Sequence, residues 1–278
     1  MSKIMDSLRN LYNQYIYIRA VKRGKKKFNS LGKCQYWADG EARDKRIHVL
    51  ANGPSLNETI SYISKDDDVF TVNYSLNDER IRDLKPKQHF IIDPHMADDK
   101  DYLCYLKKCI DNKVIETLVM SSDIYKEWEK LFSDEGIKII NLQSWHEPYN
   151  SKRDKENYKK NYLAPLPQTV VITAIYGAVQ NNYKEVYLHG NDFSFLSDIS
   201  IDKNNHLLSA CTHFYGSEAY DYTENLGFHL SGWIKNVLLM LDGYQQVKDY
   251  ADDMGVKIYN LSEKSMLDIF DKKNVHDL

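Results

Sequence analysis

From Arg46 onward, short apolar runs alternate with longer segments whose apolar residues recur at helical spacing. The runs predict strands over 46–51, 69–73, 88–93, 115–121, 137–142, 184–190 and 256–261. The longer segments predict helices over 57–64, 97–112, 123–134, 168–182, 229–252 and 263–271. Strands apolar on both sides, each followed by a helix, are the signature of a parallel sheet covered on both faces. The expected fold class is therefore α/β with a mostly parallel sheet.

Two stretches break the alternation. Residues 143–166 are polar and aromatic and carry Lys152, Arg153, Lys155, Lys159 and Lys160. Residues 193–228 hold Phe193, Phe195, His206, His213, Phe214, Tyr215, Tyr220 and Tyr222 but neither a helical nor a strand period. So long a stretch inside a domain is commonly a functional lid, and this one is too aromatic for plain disorder. It is expected to be a long lid loop over the strand ends, spanning about 193–228.

Ahead of the sheet, Ile4, Leu8, Leu11, Tyr12, Tyr15, Ile16, Ile18 and Val21 recur at helical spacing, and a basic cluster runs from Lys22 to Lys27. Residues 1–33 hold nine Lys/Arg and one acidic residue, Asp6, leaving 28 basic and 39 acidic side chains in the rest. The chain thus divides into a basic amphipathic N-terminal arm, 1–45, and a domain, 46–278. A cationic amphipathic helix followed by a polybasic patch suits an anionic membrane surface, reached through residues 1–33. An arm packed on the body or on a sister subunit is the other reading. Nucleic acid is not an expected partner, because the body is acidic and no binding motif is present. No apolar run of about 18 residues exists, and the N-terminus has no secretory h-region. Cys34, Cys104, Cys109 and Cys211 lack paired or zinc-ligand spacing and read as reduced thiols. The expected location is cytoplasmic, peripheral at the inner membrane.

The first predicted strand runs straight into Asn52-Gly53-Pro54-Ser55. This is neither a G-x-G-x-x-G fingerprint nor a Walker loop. Such a turn leaves backbone N–H groups and an amide at the carboxyl end of a strand, where open α/β sheets bind phosphate-bearing ligands. A purely structural turn is the competing reading.

Four segments in order carry a resemblance: Ala51-Asn52-Gly53-Pro54-Ser55-Leu56, the run from Val69 to Asn73, the run from Tyr183 through Gly190-Asn191-Asp192-Phe193, and Lys257 to Leu261 with Ser265-Met266-Leu267. Together they resemble the bacterial family-42 glycosyltransferases, which move sialic acid from CMP-sialic acid to a sugar acceptor. The related MptE-like proteins, which include pterin pyrophosphokinases and flagellin-modifying glycosyltransferases, share parts of the pattern. The likeness spans roughly 46–271 and is faintest over 94–165.

The resemblance implies a single Rossmann-like α/β/α domain with a mostly parallel sheet, a lid that orders on donor binding, and an inverting transfer with no cofactor and no essential metal. It implies a CMP-activated sialic-acid-like or other nonulosonic sugar as donor. The acceptor would be an oligosaccharide or lipid-linked glycan in surface polysaccharide synthesis, and the enzyme a homo-oligomer. Carried over by position, Asn52, Gly53 and Ser55 lie on the donor turn against the CMP phosphate and ribose. Asn73 meets the donor near its phosphate and glycosyl carbon, Asp93 stands where the family has an Asn, and Thr169 stands at its Ser on the nucleotide-binding helix start. Asp192 and Phe193 shape the donor side of the sixth strand's end. His213, in Thr212-His213-Phe214-Tyr215-Gly216, falls at the catalytic histidine. Two tyrosines stabilise the leaving phosphate in the family. Ser194 replaces the first, and Tyr215, Tyr220 or Tyr222 remains for the second. The family's acceptor-side Arg has no match near Leu166.

The chemistry asks for these residue types. Attack by a sugar hydroxyl needs a base that titrates near neutrality, for which histidine is the default. The departing phosphate needs positioned hydroxyls and amides. Each residue also has a plainer reading: His213 a loop histidine, His189 a structural hydrogen bond, Asp192 a turn cap. Asp93-Pro94-His95 fits a turn, a donor contact or a metal-binding carboxylate. Two further functions compete. A Mg-dependent MptE-like pyrophosphokinase would need convergent carboxylates, with Asp93 and Asp192 as the candidates. A non-catalytic nucleotide-sugar binding protein would tolerate the missing tyrosine.

Overall fold

The structure, a computed structural model, describes residues 2–30, 43–121, 124, 128, 136–142 and 149–278. Its strands in chain order are β1 (Arg43–Leu50), β2 (Asp68–Val72), β3 (Gln88–Ile91), β4 (Thr117–Ser121), β5 (Lys138–Leu142), β6 (Tyr183–His189), β7 (Ile199–Ile201), β8 (Leu207–His213), β9 (Gly216–Asp221), β10 (Lys257–Asn260) and β11 (Asp271–Lys272). The helices are α1 (Ser2–Ser30), α2 (Leu56–Thr59), α3 (Glu79–Asp83), α4 (Lys100–Asp111), α5 (Ser151–Lys159), α6 (Val170–Gln180), α7 (Tyr222–Leu226) and α8 (Leu230–Asp253).

The main sheet runs β11-β10-β6-β1-β2-β3-β4-β5, and every neighbouring pair is parallel. The α/β class expected from the alternation is what the chain adopts. Alternate residues feed two cores, as the strand period of two requires. Ile47, Val49, Phe70, Val72, Phe90 and Val119 pack with α6 and α8 on one face, while Leu50, Val69, Ile91, Leu118 and Met120 pack with α2 and α4 on the other. Helix α6 is buried from Val170 to Val179, which is why its sequence is apolar all round.

All seven predicted strands are present, and α4, α6 and α8 answer the helices expected over 97–112, 168–182 and 229–252. The helix expected over 57–64 is α2 followed by a 3-10 turn, Ile60–Tyr62. That over 123–134 lies outside the described residues except for helical positions 124 and 128. The helix expected over 263–271 is absent. Leu267 and Phe270 are buried there, but Ser265 Oγ donates to the Asn191 carbonyl and Met266 N to that of Asp192. Those bonds hold the segment in turns and bends until it joins the sheet as β11. The stretch 143–166 contains α5, with 143–148 outside the described residues. Nor is 193–228 a structureless loop: β7, β8 and β9 form an antiparallel sheet of their own, continued by α7.

Helix α1 divides its surface. Tyr17, Ala20, Val21 and Gly24 face the domain. The backbone at Gly24 approaches the Tyr162 carbonyl too closely to admit a Cβ. Asn157 Nδ2 donates to Tyr17 OH at 2.8 Å, and the Arg153 guanidinium lies 3.8 Å from the Tyr17 ring centre. At 3.6 residues per turn the other side collects Leu8, Leu11, Tyr12, Tyr15, Ile16 and Ile18, all exposed, and then Arg19, Lys22, Arg23 and Lys26. The outer face is thus apolar first and basic afterwards. No helix among the described residues is long and apolar enough to cross a membrane.

His48 and His189 are buried beneath α2. His48 Nδ1 lies 2.8 Å from His189 Nε2, His189 Nδ1 lies 2.9 Å from Thr59 Oγ1, and His48 Nε2 faces Asp67 at 3.3 Å. Burial pushes both histidines below their ordinary value, His48 to about 4, so both are neutral core members.

Candidate functional site

The chain builds β1 to β5 outward in one direction and then returns to lay β6 on the other side of β1. Between β1 and β6 the strand order reverses, and a crevice opens at the carboxyl ends of parallel strands. Asn52-Gly53 leaves β1 there and Gly190-Asn191-Asp192 leaves β6. The two turns interlock. Gly53 N donates to the Gly190 carbonyl at 2.9 Å, and Ser55 N donates to Asp192 Oδ2 at 2.9 Å. Ser55 Oγ donates to Asp192 Oδ1 and sits 2.7 Å from Ser262 Oγ. Ser55 and Asp192 therefore hold each other, both carboxylate oxygens included.

A cavity of about 220 Å³ lies over the interlock, lined among others by Asn52, Gly53, Asn191, Asp192, Phe193, His213 and Tyr222. A second, of about 360 Å³, is lined by Asn73, Ile92, Asp93, Pro94 and residues 167–170. Thr169 borders both. Its Oγ1 caps α6 by accepting from Val171 N at 3.1 Å, so the positive end of an 11-residue helix faces the junction. Asn52 Oδ1 and Asn73 Oδ1 are buried without a hydrogen-bond partner.

Asn73 is held in an unusual conformation. Its φ is +46°, a region non-glycine residues seldom occupy. Its carbonyl accepts from Tyr102 OH at 2.7 Å. His89 Nε2 lies 2.7 Å from the same phenol, and His89 Nδ1 lies 2.8 Å from Thr71 Oγ1. Burial pushes His89 down to about 3, so it stays neutral. The order of donors is then Thr71 to His89 to Tyr102 to the Asn73 carbonyl. Asp93 is exposed and caps the next turn through His95 N at 3.0 Å.

The β8–β9 turn carries His213 onto this floor. Phe214 N donates to the Asn52 carbonyl and Asn57 Nδ2 to the Phe214 carbonyl, both at 2.9 Å. The Phe214 ring is buried in the α2–α4 core. His213, half-buried, stacks on Tyr215 with ring centres 5.0 Å apart. Tyr215 itself is 48% exposed, while Tyr222 lines the first cavity. Burial pushes the Tyr222 hydroxyl up to about 12, which keeps its proton available for donation. Phe193, at φ +53°, packs against Phe195 with centroids 4.5 Å apart.

Asn52, Gly53, Thr169, Asp192, Phe193 and His213 thus share one cavity, and Asn73, Asp93 and Thr169 the next. Ser55 lies beneath, locked to Asp192, and Tyr215 lies behind His213. Asp93 and Asp192 line different cavities, and both Asp192 oxygens already accept from Ser55. Among the described residues, the three-residue cluster with metal-ligand spacing is His206, Asp221 and Glu224, on or just after the small antiparallel sheet. Sequence reasoning passed over Asn191, Val171 and Tyr244. Asn191 reads as a spacer within Gly-Asn-Asp, and Val171 and Tyr244 read as ordinary core positions of their helices.

No protein-family model and no curated protein matches the chain. Among solved structures it is similar to the sialyltransferase CstII from Campylobacter jejuni in complex with a substrate analogue, cytidine-5'-monophosphate. The identity is 20% and the TM-score 0.43, over 84% of this chain and 86% of that one. It is likewise similar to an alpha-2,3-sialyltransferase from Campylobacter jejuni in apo form, at 17% identity and a TM-score of 0.48, over 87% of this chain and 85% of that one.

Proposed function

We propose that the protein is an inverting glycosyltransferase that moves a sialic-acid-like or other nonulosonic sugar from a CMP-activated donor to a glycan acceptor. The observation that carries this reading is the pair of buried, unpartnered amide oxygens, Asn52 Oδ1 and Asn73 Oδ1, at the ends of adjacent parallel strands beside the α6 N-terminus. A buried polar atom left unpaired costs about 1–3 kcal/mol, a cost that ligand hydroxyls or amines remove. Ribose and sugar hydroxyls supply donors of that kind, and the helix end suits a phosphate. The ordered motifs shared with family-42 glycosyltransferases add the choice of CMP.

In this mechanism His213 takes the proton of the acceptor hydroxyl. The hydroxyl oxygen bonds to the anomeric carbon as the bond from that carbon to the phosphate oxygen breaks. CMP leaves with the bonding pair, its new charge met by the α6 N-terminus and by Tyr222 in the role of the family's second tyrosine. No step draws on a metal, so transfer is expected to survive EDTA. ATP turnover that needs Mg²⁺ would instead favour a pyrophosphokinase. Asn52→Ala should weaken CMP by about 10–100-fold, the equivalent of 1–3 kcal/mol, in a calorimetric titration. Unchanged affinity would remove the donor from this turn.

The acceptor is lipid-linked at the cytoplasmic face of the inner membrane in this reading, and α1 is the docking element. Its exposed apolar face and the basic residues that follow suit anionic headgroups. Replacing the exposed Leu8 and Leu11 with Glu leaves the Tyr17–Gly24 contact intact. The double variant should no longer co-sediment with phosphatidylglycerol vesicles, and high salt should weaken the wild-type interaction. Transfer to a soluble acceptor should persist. Equal sedimentation of variant and wild type would leave α1 a packing arm.

A further inference from the structure

Asn191 sits between Gly190, at φ +64°, and Asp192, and is 4% exposed. Its Nδ2 is buried, has no hydrogen-bond partner, and belongs to a residue that lines the first cavity. The rest of the residue is fixed in place. Its carbonyl accepts from Asn260 Nδ2 at 3.2 Å and from Ser265 Oγ at 2.8 Å. Its Oδ1 pairs with Tyr244 OH at 2.9 Å, and Thr169 Oγ1 lies 3.4 Å from the same phenol. An amide oxygen only accepts, so the single phenol proton goes to Asn191 and the Thr169 hydroxyl donates to Tyr244. Burial pushes the Tyr244 hydroxyl up to about 12, which preserves that direction. The amide oxygen faces Tyr244, and the amide nitrogen is left for a ligand.

We propose that Asn191 reads the nucleobase of the donor, its Nδ2 donating to an acceptor on the base edge such as O2 or N3 of cytosine. This inference rests on the CMP-donor reading above and adds the residue that selects the base. Phe193, Phe195, Tyr222 and Val171 line the same cavity. Aromatic faces of this kind stack on a planar ring. A single neutral amide among them does not offset the desolvation of a phosphate, which finds the α6 N-terminus instead.

The test titrates CMP, cytidine and ribose 5-phosphate into wild type, Asn191→Asp and Asn191→Leu, with thermal melts to confirm folding. Both variants should bind CMP and cytidine about 10–100-fold more weakly, with ribose 5-phosphate within about twofold of wild type. For Asn191→Asp the cytidine loss should shrink as pH is lowered, because the protonated carboxyl regains a donor while still accepting from Tyr244. A lost melting transition would discard that variant and leave the other to decide. Unchanged cytidine affinity in the folded variants overturns the inference, as does equal weakening of ribose 5-phosphate. Retention by Asn191→Asp with loss in Asn191→Leu at every pH also overturns it, since the amide would then accept. Wild type that binds no CMP rejects the donor reading itself, whereas CMP binding indifferent to Asn191 rejects this inference alone.

Discussion

Alanine at His213 is expected to lower kcat by about 10²–10⁴-fold, the usual contribution of a positioned general base, while CMP affinity stays near wild type. In barrier terms that is about 3–5 kcal/mol. The split follows from where the residue sits. His213 ends β8 on the rim of the first cavity, with one ring face against Tyr215. The bonds that hold the turn down belong to Phe214: its N–H to the Asn52 carbonyl, its carbonyl to Asn57, and its ring in the core. Removing the imidazole therefore leaves the floor of the donor site in place. The acidic limb of the pH–rate profile, which reports deprotonation of the base, should vanish with the side chain. Near-wild-type kcat in His213→Ala would move the base elsewhere, with Asp93 next. A collapse of CMP affinity in step with kcat would make His213 a donor contact.

The parts of this site that sequence made legible are those where local pattern and tertiary role coincide. The apolar run from Ile47 to Ala51 ends at an Asn-Gly turn because the strand ends there, and the run from Tyr183 to His189 ends at Gly190 for the same reason. The antiparallel sheet was hidden because its strands lie at the surface. Along β8, Leu207 and Ser209 are buried while Cys211 to His213 are half-buried, so polarity does not alternate. Helix α5 was hidden by its composition: of nine residues only Asp154 and Tyr158 are buried. The segment 263–271 misled in the opposite sense. Its apolar residues do face the core, but Ser265 and Met266 bond to the β6 turn instead of to a helix. Asp192 read as a site carboxylate by position. Its two oxygens meet Ser55, a partner 137 positions away that spacing does not reveal.

That long-range closeness leads to the second large effect, at the glycines where the β1 and β6 turns meet. A Cβ on Gly190 would lie 2.7 Å from the Ala51 carbonyl oxygen and 3.0 Å from that of Gly53. On Gly53 it would strike the Gly190 carbonyl and come 2.5 Å from Asp192 Oδ2. Neither neighbour can yield, since Ala51 N and Gly53 N are bonded to the β6 end and Asp192 is held by Ser55. Gly190→Ala adds left-handed strain to the clash, and together these should cost about 3 kcal/mol or more. Gly227 supplies the matched control, with φ at +65° and nothing within 4 Å of an added Cβ. Gly227→Ala should cost only the conformational part, about 1 kcal/mol. Urea melts of the three variants measure the difference, and CMP titration below the transitions should find binding lost in Gly53→Ala and Gly190→Ala alone. Similar losses in Gly190→Ala and Gly227→Ala would mean that the two turns can part without harm. The crevice between β1 and β6 would then be looser than the bonds across it require.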